Sequence, residues 1–153
     1  MEQQRPSVTL AAVIERGGRF LLVEEEDEGR IVYNQPAGHL ELRESLVEGC
    51  AREVLEESAW HFQPRELVGI YRWRKPDSAS GAGVTYLRFA FCGELGRHED
   101  GRALDAGIVR AVWLDAGELR ATRARHRSPL VLRCVEDYLA GRRYPLNVLT
   151  DYA

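Results

Sequence analysis

The sequence predicts an α/β fold, a mixed β-sheet covered by helices on both faces. Three observations carry that prediction. Short apolar runs rich in Val, Ile, Leu, Tyr and Phe recur along the chain, bounded by Gly, Pro, Asn and Asp. Two or three helical segments are interspersed among these runs rather than collected at one end. The 153 residues, 44% hydrophobic and 29% charged, match one ordinary domain, so residues 1–153 are expected to fold as a single unit without a disulfide or structural metal.

Taken in order, residues 8–14 are mostly apolar and end at the turn Glu15-Arg16-Gly17-Gly18, after which 19–23 resume the run; the two read as a hairpin. The acidic stretch 24–29 reads as a solvated turn, because it offers charge without ligand geometry. A short strand over 31–33 leads into Asn34-Gln35-Pro36-Ala37-Gly38, expected to be a loop. Residues 45–58 form the clearest helix, with Ser45 as N-cap and Glu48 three residues on as its capping-box partner. Gln63-Pro64 is expected to end this region. Two β-rich runs, 67–74 and 84–94, flank the turn residues 75–81 and predict a long hairpin. Residues 108–114 read as a further strand, 115–121 as a short helix, and 129–140 as an amphipathic helix with Pro129 suited to its first turn.

A net charge of -3 with both signs interspersed gives no long-range attraction to nucleic acid or to an anionic membrane, so no partner of either kind is expected. The N-terminus lacks the apolar stretch of a signal peptide, and no window approaches the ~18 apolar residues of a membrane span. Cys50, Cys92 and Cys134 stand apart, without metal-ligand spacing. They read as reduced core thiols, and the protein as cytoplasmic.

The chemistry concentrates in residues 38–60, GHLELRESLVEGCAREVLEESAW. With Leu46 at zero on a helical wheel, Glu53, Glu56 and Glu57 fall near ~340°, ~280° and ~20°, inside one arc. Val47, Cys50, Ala51, Val54 and Leu55 cover ~40° to ~180°, the face expected to pack on the sheet. Gly49 at ~300° lies within the acidic arc, where its missing side chain would leave room for whatever the carboxylates hold. Unscreened glutamates on one face repel, and a carboxylate cluster is what Mg²⁺ favours. The helix alone leaves two readings open, a metal site and a solvated acidic face.

The spacing of Gly38, Glu44, Arg52-Glu53-Val54 and Glu56-Glu57 resembles the Nudix box, G-x5-E-x7-R-E-U-x-E-E-x-G-U, where U is a bulky apolar residue. The departure is Ala59, where the family pattern has glycine just after the helix. The resemblance implies a Nudix-type α/β/α sandwich and hydrolysis of a phosphoanhydride by a metal-activated water. It implies Glu53, Glu56 and Glu57 as metal ligands, Glu53 also as candidate base, Arg52 paired with Glu44 to orient the acids, and Gly38 letting the loop backbone approach the metal. The implied cofactor is Mg²⁺, with Mn²⁺ as a substitute.

Asn34-Gln35-Pro36-Ala37-Gly38-His39-Leu40-Glu41, Leu87-Arg88-Phe89, Arg127-Ser128-Pro129-Leu130-Val131 and Arg143-Tyr144-Pro145-Leu146 are similar to a bacterial phosphatase branch of that family. That narrower resemblance implies small-molecule substrates: nucleoside tri- and diphosphates and thiamin-related pyrophosphates. Arg88, in an otherwise apolar run, is either solvated or a phosphate clamp. The run 120–127 reads mostly as a solvated loop, with Arg127 able to close over phosphates. Trp73 leads Tyr33 and Phe89 as a stacking candidate for a heterocycle, and His39 either touches phosphate or packs in its loop. A monomer is expected, with a homodimer as the alternative. Other readings of the same fold are an ADP-ribose-type pyrophosphohydrolase and a non-catalytic ligand-binding module, although the latter typically lacks box glutamates.

Overall fold

The computed structural model describes residues 5–76 and 83–152. Among these residues, nine strands and three α-helices run in the order β1 (Ser7–Ala12), β2 (Glu15–Arg16), β3 (Arg19–Asp27), β4 (Arg30–Asn34), β5 (Ala37–His39), α1 (Leu46–Ser58), β6 (Trp60–Lys75), β7 (Val84–His98), β8 (Ile108–Asp115), α2 (Ala116–Ala121), α3 (Leu130–Leu139) and β9 (Tyr144–Pro145). One five-stranded sheet has the order β5-β1-β7-β6-β9 and is mixed, because β1 and β7 run parallel whereas the other pairs are antiparallel. A second, antiparallel sheet joins β2, β3, β4 and β8.

The period-two alternation of strand side chains divides the interior into two apolar layers. Leu10, Ala12, Leu21, Leu67 and Phe91 pack with Cys50 and Val54 of α1. Their neighbours in sequence, Val13, Leu22, Val68, Ala90 and Cys92, pack with Leu119 of α2 and with Val131, Leu132, Cys134 and Val135 of α3. Helices therefore cover both sides of the strands, and the expected α/β/α sandwich with a mixed sheet is present. All three cysteines are buried and unpaired. Among the described residues no helix is long and apolar enough to cross a membrane.

Several local expectations need correction. The hairpin expected from 8–14 and 19–23 shrinks to Glu15–Arg16 against Arg19–Phe20. β1 pairs instead with β5 and β7, because its apolar residues on both faces demand a central position. Residues 37–39 form β5 rather than a loop, and Pro64 does not end a region but sits inside β6 beside a bulge, where its missing N–H is tolerated. The acidic stretch is a solvated turn only at Glu28-Gly29, since Glu24 to Asp27 continue β3 and Glu24 and Glu25 are buried. The turn expected over 75–81 lies outside the described residues from 77 onward.

α1 opens as expected. The Ser45 side chain accepts from the Glu48 N–H, and the Glu48 carboxylate accepts from the Ser45 N–H. It closes at Ala59, held left-handed at φ 63°, so the exit keeps the conformation for which glycine is the usual residue. Its buried face agrees with the expected one at Cys50 and Val54 but also takes in Gly49, Glu53 and Glu57, while Val47, Ala51 and Leu55 are half-buried. Gly49 leaves room not for a ligand but for its neighbours, because a Cβ there would lie 2.2 Å from Leu10 Cδ1 and 2.7 Å from Glu44 Oε1. Leu10 is fully buried and cannot swing away. Gly49→Ala is therefore expected to lower stability by about 1–2 kcal/mol, read as a fall in the urea midpoint, even though alanine is the better helix former.

Candidate active site

A cavity of about 370 Å³ gathers side chains from most of these elements. Glu53 and Glu57 reach it from α1, Gly38 and His39 from β5, Trp73 and Lys75 from β6, and Tyr86 and Arg88 from β7. Glu25 of β3, Asn34 of β4 and Arg127 also line it. The sequence candidates Glu53, Glu57, Gly38, His39, Trp73, Arg88 and Arg127 are thus brought together. Glu44, Arg52 and Glu56 do not line the cavity; they stand behind it as a charged scaffold.

Arg52 organises that scaffold. Its Nε donates to Glu44 Oε2 at 2.8 Å and its Nη2 to Glu44 Oε1 at 2.7 Å, a bidentate pair. Nη1 donates to Glu53 Oε1 at 2.8 Å and to Glu56 Oε2 at 3.0 Å, and Nη2 also reaches the His39 carbonyl at 3.1 Å. The fork thus ties three acids and the β5 backbone to one rigid plane. Its hydrogen bonds hold the Glu44 carboxyl below the usual carboxylate range. Each bond to Arg52 uses one oxygen of Glu53 or Glu56 and leaves the other available.

Glu53 is pushed upward by burial, against the opposing pull of Arg52. Glu57 is pushed up to about 8, chiefly by burial, with Glu25, Glu53 and Asp105 adding repulsion. Among the described residues its one hydrogen bond is from the Ala37 N–H to Oε1 at 2.7 Å. Glu53, Glu56 and Asp105 can each offer an oxygen within 4.8 Å of the others. Such a cluster of hard oxygens, together with a buried carboxylate that no cation neutralises, fits a divalent ion. Gly38 is required by the same crowding, because a Cβ there would lie 2.1 Å from the Glu53 carboxylate.

The opposite wall is cationic and aromatic. Arg88 is buried, with Nη1 donating to Gln35 Oε1 at 2.9 Å and Nη2 to Asn34 Oδ1 at 3.0 Å. It faces inward and is not solvated. Arg127 donates to Glu25 Oε1 at 2.8 Å and lies 3.7 Å from Asp27, so it too is ordered. Trp73 and Tyr86 are direct cross-strand partners, and their rings stack at 5.8 Å with an interplanar angle of 20°. Tyr86 and Arg88, two apart on β7, share that face. Phe89 points to the other face and packs in the α1 layer, and Tyr33 is buried beneath Arg125, so neither is available for stacking on a ligand.

Glu25, Asn34, Gln35, Tyr86 and Asp105 belong to this site or its support but were given no role from sequence. Glu24 and Glu25 follow the apolar run Leu21-Leu22-Val23, the one signal that the acids continue a buried strand. Their neutralising partners, Arg110 and Arg127, lie far along the chain and leave no local mark.

The NUDIX domain model matches residues 3–134. Over 148 residues, covering 97% of this chain and 93% of the relative, the chain is 38% identical to "Phosphatase NudJ" of Escherichia coli K12. The solved "NUDIX hydrolase from Nitrosomonas europaea" is 52% identical, covers 97% of this chain with 98% of its own, and superposes with a TM-score of 0.90. A MutT NUDIX hydrolase from Burkholderia pseudomallei, at 18% identity and a TM-score of 0.70 over 88% of this chain and 98% of its own, shares the fold.

Proposed function

The chain belongs to the Nudix hydrolase family and is a phosphohydrolase, and from that premise we propose a Mg²⁺-dependent phosphatase acting on nucleoside tri- and diphosphates and on thiamin-type pyrophosphates, hydroxymethylpyrimidine pyrophosphate and thiamin pyrophosphate among them. The observation that carries this reading is one cavity with buried carboxylates, Glu53 and Glu57, on one wall and ordered arginines, Arg88 and Arg127, on another. A polyphosphate needs both, cations for its oxygens and acids for a metal ion and a proton.

In this reading Glu53, Glu56 and Glu57 hold the metal, with Asp105 added to the set implied by sequence, and Gly38 leaves the Glu53 carboxylate its place. Bound Mg²⁺ would neutralise phosphate charge and lower the pKa of a coordinated water. Arg88 and Arg127 bind the phosphate oxygens and align the anhydride. Glu53, whose proton affinity burial raises, accepts a proton from the attacking water. The new P–O bond forms as the anhydride P–O bond breaks, and the leaving phosphate departs on its own oxygen. Trp73 and Tyr86 offer a flat face to a heterocycle. Residues 1–153 act as one catalytic domain.

A malachite-green screen with Mg²⁺, run with and without added inorganic pyrophosphatase, tests the reading. It should cover nucleoside di- and triphosphates, thiamin pyrophosphate, hydroxymethylpyrimidine pyrophosphate and, with a coupled phosphatase, ADP-ribose. Colour without the auxiliary enzyme is expected. Signal restricted to the pyrophosphatase arm, or to ADP-ribose, would replace the proposal with pyrophosphohydrolysis.

The raised Glu57 supplies an independent check. Because its folded value of about 8 lies above the ordinary 4.5, the metal-free fold binds more protons than the unfolded chain between those values. Stability from this group is therefore complete below 4.5 and is lost as pH rises through about 8. In EDTA the Tm is expected to fall by roughly 5 °C or more between pH 6 and pH 9, and Mg²⁺ to raise it more at pH 9 than at pH 6. A Mg²⁺ increment independent of pH would count against Glu57 as a ligand.

A further inference from the structure

Arg88 is the one arginine in the buried set among the described residues, and its guanidinium partners there are all uncharged: the carboxamide oxygens of Gln35 and Asn34 and, at 3.9 Å, the Cys134 thiol. The other ordered arginines near the site are each met by acids, Arg52 by Glu44, Glu53 and Glu56, Arg110 by Glu24, and Arg127 by Glu25. A buried guanidinium normally needs a counter-charge. Here its place is taken by two dipoles, and the side chain lines the cavity.

Both carboxamides are themselves fixed. Gln35 is 1% exposed and donates Nε2 to the Val131 carbonyl at 2.7 Å; Asn34 donates Nδ2 to Glu25 Oε1 at 3.1 Å. Each amide therefore has its nitrogen turned outward to an acceptor and its oxygen turned to Arg88, and neither can flip without losing both bonds. The arrangement aligns the guanidinium from α3 and β3 through β4 and the residue that follows it, and cancels none of its charge.

We propose that Asn34 and Gln35 are positioning residues for phosphate binding, chosen as neutral acceptors so that Arg88 is aimed into the cavity with its full charge left for the substrate anion. This rests on the reading of Arg88 as a phosphate partner. A carboxylate at either position would still accept from Arg88, but it would occupy that charge and give up the amide's own donor bond to Glu25 or to the Val131 carbonyl.

The experiment measures kcat, KM and Tm for the best substrate of the screen, with Mg²⁺ saturating, in Asn34→Asp, Gln35→Met, Arg88→Ala and the Gln35→Met/Arg88→Ala double variant. Asn34→Asp keeps the acceptor for Arg88 and adds a charge, but gives up the donor to Glu25, so KM is expected to rise about tenfold or more while kcat moves less, and the Tm to fall. Gln35→Met is expected to raise KM alone but to add nothing to the KM of Arg88→Ala, whereas its effect on Tm persists in both backgrounds. Should Asn34→Asp fail to fold, the Gln35 cycle decides by itself. Unchanged KM in Asn34→Asp, or KM losses that multiply in the double variant, would overturn the positioning role. Unchanged KM in Arg88→Ala would instead remove Arg88 from the phosphate site.

Discussion

Glu57→Gln is expected to fold, to melt higher than the parent protein in EDTA at pH 8 and above, and to lose about 100-fold or more of its turnover. The three effects come from one atom-level change. The glutamine Oε1 still accepts from the Ala37 N–H, so β5 stays docked on α1. The buried charge repelled by Glu25, Glu53 and Asp105 is gone, which stabilises the metal-free fold. A hard anionic oxygen is gone as well, and a neutral amide is a poor substitute for Mg²⁺. Parallel activity assays and melting curves separate this from damage to the fold, which would lower both. Hydrolysis at the parental rate across the substrate panel would exclude Glu57 from the metal site.

Arg52→Ala is expected to cost about 3 kcal/mol, read from the urea midpoint, and to reduce kcat by roughly 100-fold, although Arg52 touches no substrate. Without the guanidinium, Glu44, Glu53 and Glu56 lose their shared cation and repel one another, and the His39 carbonyl loses its donor. Arg52→Lys restores the charge but cannot make the bidentate pair with Glu44 while also reaching Glu53 and Glu56. It is expected to regain part of the stability and little of the rate. Unchanged kcat in Arg52→Ala would show that the acids hold their places without it.

The parts legible in sequence were those whose signals are local. The capping box at Ser45 and Glu48, the spacing of Gly38, Glu44, Arg52, Glu53, Glu56 and Glu57, and the partner assigned to Arg52 all lie within a few helical turns. What escaped depends on contacts between distant segments. Residues 8–14 and 19–23 look like adjacent strands, yet the first is claimed by β7, some eighty residues away by register. Glu24 and Glu25 read as solvated because the arginines that neutralise them are 86 and 102 positions downstream. Hydrophobicity alone also mis-set part of the inward face of α1: Cys50 and Val54 are buried as expected, but Glu53 and Glu57 are buried as well, while Ala51 and Leu55 are only half-buried. The wheel put three acids on one arc, yet it is Glu53 and Glu56, joined by Asp105, whose oxygens come within 4.8 Å of one another.

The parallel seam between β1 and β7 also sets an order of assembly. During synthesis the acid-bearing helix emerges early, but β1, which carries β5 and with it Gly38 and His39, has no parallel neighbour until residues 86–91 have been made. Gln35 waits longer still, for the carbonyl of Val131. Such long-range closure makes folding slow relative to helical proteins of this size. The cavity walls are therefore complete only once residue 131 has been made, and β1 stays exposed to mispairing on its β7 side until residues 86–91 arrive.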